Sequence, residues 1–179
     1  MDGVNAPADS VVAAVFCVPP NWGFEMEDHD TLLPIDASGH DPPPPEALIQ
    51  RLEDSFGLFV RADADLAGLF YEKLFAAAPD LRALFATDLT EQKLKFLRTL
   101  ATVVENLRTP DVARARLRQL GRAHIGYGTQ PEHYPIVNHA IVAAMAEVAG
   151  ERWTAQLQAD WTNVIEQVSA IMRDAAAGE

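Results

Sequence analysis

LGRAHIGYGTQPEHYPIV, residues 120–137, decides the fold, because it sets one histidine at the end of a helical pattern and starts the next helix beside it. Ala113, Leu117, Leu120 and His124 recur at the three- and four-residue spacing that puts side chains on one helix face, so His124 faces inward. Gly126, Tyr127 and Gly128 then break the helix. Thr129, Pro131 and Glu132 read as a new start, with proline near the first turn. Spacing alone leaves two readings of His124: a packed, hydrogen-bonded core histidine, or a ligand to something held between helices.

Outward from that stretch, the 179 residues suit one domain with room for a full core, and 49% apolar content fits a globular chain. The net charge of −12 argues against a general nucleic-acid binder, since no face would neutralise phosphates. A single cysteine, Cys17, excludes an intrachain disulfide and fits a reducing cytoplasm. No apolar run approaches the roughly 20 residues needed to cross a bilayer. Residues 1–45 carry eight acids, no Lys or Arg, and eight of the 12 prolines. They read as an acidic, Pro-rich and poorly ordered extension that closes in the stiff Pro42–Pro45 spacer, with Phe16, Trp22 and Phe24 able to dock locally. Val11–Val18 is apolar but follows acidic residues, unlike a secretory signal.

From Glu46 the pattern is helical throughout, which makes 46–179 an all-α domain of about seven helices. Leu48, Leu52, Phe56 and Phe59 form one stripe, and Leu66, Leu69, Phe70 and Leu74 a second, with Asp63 between them as a cap. Ala67 and Gly68 suggest a close helix crossing. Pro79 opens a short helix through Leu81, Leu84 and Phe85. Asp88 or Thr90 caps the next helix, whose face runs Gln92, Phe96, Leu100, Val103 and Val104. Gln92 reads equally as a solvated first-turn residue. Pro110 opens the helix that ends at His124. Tyr134, Val137, Ile141, Met145 and Val148 give a long helix stopped by Gly150, and Trp153, Leu157, Trp161, Val164, Val168 and Ile171 or Met172 a last one. This pattern fits helices packed around a cofactor, and also other helical bundles.

The wording Leu-Gly-Arg-Ala-His, then Tyr-Gly, then Pro-Glu-His-Tyr-Pro-Ile-Val resembles the proximal histidine segment of bacterial globins, both single-domain ones and the globin part of flavohaemoglobins. The resemblance runs from residue 46 to about 174, with five landmarks in order. Leu-Phe-Tyr-Glu-Lys-Leu-Phe, containing Tyr71, resembles the helix whose tyrosine reaches bound ligand. Phe85 matches the phenylalanine at the haem corner. Glu-Gln-Lys-Leu-Lys-Phe-Leu matches the distal helix, with Gln92 ligand-facing and Phe96 one turn on, and His124 lies 32 residues past Gln92.

The resemblance implies a globin fold that holds haem b, with His124 as the iron ligand and Tyr71 and Gln92 as donors to bound dioxygen. A ligating imidazole needs its second nitrogen anchored, most simply on a carbonyl one turn back near Leu120. Phe70, Phe85, Phe96, Leu100, Val137 and Ile141 are candidates for the apolar haem shell. Lys95 falls at the rim, as a solvated lysine or a partner for a propionate. His133 and His139 lack metal-site spacing relative to His124, and His29 and His40 lie in the extension. Tyr134 stands where flavohaemoglobins place a tyrosine joined to a glutamate of the last helix. That glutamate is absent from the matching Ala175–Ala177 stretch, which weakens any claim to peroxidase-like activation.

The implied activity is reversible dioxygen binding with possible nitric oxide dioxygenation; carbon monoxide and nitrite are further ligands. Because no dinucleotide-binding glycine motif is present, turnover would draw on a separate reductase. The alternatives are a haem-based gas or redox sensor signalling to a protein partner, and a haem-free helical interaction module. The expected setting is cytoplasmic, with neither nucleic acid nor membrane as partner.

Overall fold

A computed structural model describes residues 44–61 and 64–178. Among them are six α-helices: α1 (Glu46–Phe59), α2 (Leu66–Ala77), α3 (Thr90–Glu105), α4 (Pro110–Gly126), α5 (His133–Ala149) and α6 (Ala155–Ala177). A 3₁₀ helix, Pro79–Leu84, makes the seventh helix of the expected set, and a single 3₁₀ turn, Gly150–Arg152, joins α5 to α6. No strand element occurs among the described residues, and no helix there is long and apolar enough to cross a membrane.

The helices pack chiefly as α4 on α6 and α2 on α5, with α1 laid across α3, α5 and α6. The stripe expected on α1 is rotated: Ile49, Leu52, Ser55 and Phe59 are buried, while Leu48 and Phe56 flank them, partly exposed. A hydroxyl is the cause. Ser55 Oγ donates to the Leu52 carbonyl at 3.0 Å and accepts the Trp161 indole N–H at 2.9 Å, so a polar residue occupies the inner face that hydrophobic counting assigns to its neighbour. Trp161 is fully buried against Phe59, with ring centroids 5.6 Å apart. Making that indole hydrogen bond avoids the penalty of a buried unmet donor.

The helix ends follow local chemistry. Asp63, expected as a cap, lies outside the described residues; Asp65 caps α2 by accepting the Gly68 N–H at 2.8 Å. At Gly68 the nearest neighbour is the capping residue itself. A Cβ there would lie 2.0 Å from the Asp65 carboxylate, so the glycine makes room for the cap. Asp88 Oδ1 accepts both the Thr90 N–H at 2.9 Å and the Thr90 hydroxyl at 2.7 Å, starting α3 as expected and lowering the Asp88 pKa. Phe85 falls just past the 3₁₀ helix in extended conformation, because the Arg82 guanidinium donates to the carbonyls of Phe85, Ala86 and Thr87 and ties the corner. Gly150 ends α5 at φ 53°, and Thr154 caps α6 through the Leu157 N–H.

A polar tie closes α1 on α6. Arg51 Nε donates to Asp160 Oδ2 at 2.6 Å and Gln156 donates to its other oxygen at 2.8 Å. The hydrogen bond from Arg51 chiefly lowers the Asp160 pKa. A carboxylate depressed in the folded state stabilises the fold above its unfolded pKa, and that contribution is lost as pH falls through the folded value. The thermal midpoint is therefore expected to drop as pH falls below about 4, and Asp160→Asn should flatten that drop while lowering the midpoint at neutral pH. An unchanged acid profile in the variant would remove Asp160 from the account.

Candidate functional site

The predicted residues lie on α2, the Phe85 corner, α3, α4 and α5. α4 ends where the Tyr127 and Thr129 N–H groups bond back to the His124 carbonyl and Gly128 turns the chain at φ 79°, a conformation that favours glycine. This stop leaves His124 on the last turn, 1% exposed. Its Nδ1 lies 2.7 Å from the Leu120 carbonyl, so Nδ1 carries the proton and donates, and Nε2 carries the lone pair. The anchor is the one a ligating imidazole requires.

One turn before His124 the backbones of α4 and α6 touch. A Cβ on Gly121 would fall 2.3 Å from the Met172 carbonyl oxygen and 2.7 Å from its Cα. Sequence reading passed over this close crossing, and the signal that could have found it is a glycine inside a helix, flanked by the buried Leu120 and His124.

α2, the Phe85 corner and α3 supply an aromatic cluster. Phe70 and Phe96 stack with centroids 4.4 Å apart and planes 4° off parallel, and Tyr71 sits against Phe70 at 4.7 Å and edge-on to Phe85 at 5.5 Å. Phe75 joins them, 5.8 Å from Tyr71 and 5.3 Å from Phe85. Sequence reading passed over Phe75, although it lies four residues after Tyr71 on the same helix face. Leu100 of α3 and Val137 and Ile141 of α5 are all buried.

Gln92 is 7% exposed and not a solvated first-turn residue. Its Nε2 has no hydrogen-bond partner among the described residues, an unmet buried donor that a polar ligand would satisfy. Lys95 is the one predicted site residue that is not buried; its side chain is 22% exposed, with the Glu91 carboxylate 3.8 Å away. Tyr134 is buried, which pushes its phenol pKa up, and the Arg173 guanidinium lies 6.0 Å over its ring. A cation of the last helix therefore faces Tyr134. No group of three or more His, Cys, Asp or Glu residues suited to a bare metal ion occurs among the described residues.

A buried, anchored histidine on the last turn of α4, an aromatic cluster on α2, α3 and the Phe85 corner, and a buried amide with an unmet donor define an all-α protein with polar groups set into an apolar interior. The globin family profile matches residues 68–172, more than half of the chain, and the chain belongs to the globin family. It is 27% identical to a flavohemoprotein of Rhizobium meliloti over 106 residues, 58% of this chain but 26% of that protein. It is 35% identical to leghemoglobin-1 of Lupinus luteus over 66 residues, 35% of this chain and 43% of that one. The chain thus spans about a quarter of the length of the flavohemoproteins it matches.

Among solved structures, a bacterial globin from Campylobacter jejuni superposes with a TM-score of 0.66 at 18% identity, covering 75% of this chain and 97% of that one. An engineered carbene transferase from Rhodothermus marinus, described as a candidate nitric oxide dioxygenase, gives the same score at 22% identity over 75% and 94%. Both share the fold. Membership in the family implies haem, and the residues present fit it: an inward imidazole with its second nitrogen already bonded, apolar rings, and a buried amide donor in need of a partner.

Proposed function

We propose that the chain holds haem b through His124 Nε2 and reversibly binds dioxygen, and that it can also act as a nitric oxide dioxygenase served by a separate reductase. The observation that carries this reading is the 2.7 Å bond from His124 Nδ1 to the Leu120 carbonyl, which selects the tautomer that leaves the lone pair on Nε2. Bound haem would supply reversible gas capture at ferrous iron and, with nitric oxide, conversion of the pair to nitrate, with one electron returned by the reductase.

The chain's own residues do the rest. Gln92 offers its amide N–H and Tyr71 its hydroxyl to the gas ligand, whose oxygens gain partial negative charge. Phe70, Phe85, Phe96, Leu100, Val137 and Ile141 keep water away, which slows oxidation. Lys95, partly exposed beside Glu91, would pair with a propionate at the rim.

Tyr71→Phe removes one charge-assisted hydrogen bond worth roughly 1.5 to 3 kcal/mol, so oxygen release should accelerate by roughly ten- to a hundredfold in stopped flow. An unchanged off-rate would take Tyr71 out of the site. For the dioxygenase reading, mixing the oxygenated protein with nitric oxide should yield nitrate once, and repeatedly only when a cell extract supplies electrons. Absence of nitrate in the single-turnover mix would leave a gas binder.

A further inference from the structure

The surface of α4 that turns away from His124 carries features the haem reading does not use. Arg114, Arg118 and Arg122 recur at four-residue spacing and so form one stripe up the helix. Arg118 and Arg122 are exposed, with no ion-pair partner among the described residues. Ile125, 44% exposed, continues the stripe. Its lower end meets a groove of about 650 Å³ between α1, α3, α4 and α6, lined by Leu48, Leu107, Leu117 and Val168 among apolar residues and by Arg114 and Asp174 among charged ones. Pro44 and Pro45 are part of the same wall, so the N-terminal extension leaves the helical body at this groove. Arg108 reaches both Glu46 and Glu53, which fixes that exit point against the end of α3.

We propose that residues 21–30 of the extension, NWGFEMEDHD, dock back onto this surface, with Trp22 and Phe24 in the apolar groove and Glu25, Glu27, Asp28 and Asp30 along the arginine stripe. Charge argues for this occupant: the extension carries eight acids and no Lys or Arg, and the stripe is a row of cations. Chemistry along the segment matches the surface, two aromatics followed by four acids against an apolar groove followed by arginines. Reach is ample. The 20 residues from Phe24 to Pro44 can span up to about 66 Å, whereas the 17 residues of α4 rise about 25 Å. Docking there would place an acidic, salt-sensitive strap over the helix that bears His124, and it does not depend on haem.

The test uses the full-length chain and an endoproteinase that cuts after glutamate, because the segment itself contains Glu25 and Glu27. Cleavage at those sites should be slower than in a free peptide of residues 16–34, and Arg118→Glu with Arg122→Glu should raise it by about tenfold, as expected for losing two surface charge contacts. Trp22→Ser with Phe24→Ser should do the same from the apolar side. Adding about 0.5 M salt should close the gap to the peptide measured in the same buffer. Cleavage as fast as the peptide's, or protection untouched by the arginine reversals, overturns the proposal. Protection that rises with protein concentration, alongside a dimer in sedimentation, overturns it in favour of a second copy as the occupant. Circular dichroism of each variant confirms that the helices persist, so that any gain in cleavage reports undocking.

Discussion

Replacing His124 by alanine is expected to leave a helical protein that emerges colourless from desalting after hemin is added, while the parent chain retains a Soret band. His124 sits on the last turn of α4, is bonded at Nδ1 to the Leu120 carbonyl and is 1% exposed, so alanine removes the buried imidazole and leaves a small cavity. Losing an iron ligand removes coordination that apolar burial of the porphyrin does not replace. His124→Gly supplies the second arm: added imidazole can enter the vacated space and should restore the Soret band. Normal haem retention by His124→Ala, at unchanged spectrum, would refute the proximal assignment. A variant that loses haem without regaining it from imidazole, and that has also lost its helices, would make His124 a core residue first.

Gly121→Ala carries the second large effect. The new methyl group would lie 2.3 Å from the Met172 carbonyl oxygen, 2.7 Å from its Cα and 2.9 Å from its carbonyl carbon, all of them backbone atoms of α6. No rotamer change relieves a backbone clash, so α4 and α6 must separate, at a cost of about 2 to 4 kcal/mol of stability. Chemical denaturation should show this as a lower midpoint. Haem affinity should fall with it, because the displaced turn leads straight into His124. Gly126→Ala is the control: nothing lies within 4 Å of a Cβ there, and alanine is the better helix former by up to about 1 kcal/mol. Equal stability of the Gly121 and Gly126 variants would mean that the two helices do not touch at this point.

The acidic tie between Arg51 and Asp160 and the Gly121 contact belong to a different category from the helices that carry them. Helix positions were legible because burial of one face repeats with the period of the backbone, and capping and breaking residues act on the chain next to them. Asp88 before α3, Pro110 and Gly128 around α4, and Gly150 after α5 all act within a few residues of themselves. Where the expectation slipped, a distant partner was responsible: Ser55 faces inward because Trp161, 106 residues away, donates to it. Asp65 caps α2 in a place that the neighbouring Asp63 could equally have claimed by sequence.

The sequence by itself determined that this chain is a run of amphipathic helices, that His124 ends one of them facing inward, and that Tyr71, Phe85, Gln92 and Phe96 follow the order of a bacterial globin. Those are properties of local spacing and residue chemistry, which need no knowledge of neighbours. Only the tertiary structure decided that the imidazole is pinned to Leu120, that Phe75 completes the ring cluster, that the close crossing is at Gly121 and that Gln92 is buried with an unmet donor. Each of these is a relation between side chains or backbones brought together by packing. The order of residues along the chain states which groups are available, and the distances between helices settle which of them meet.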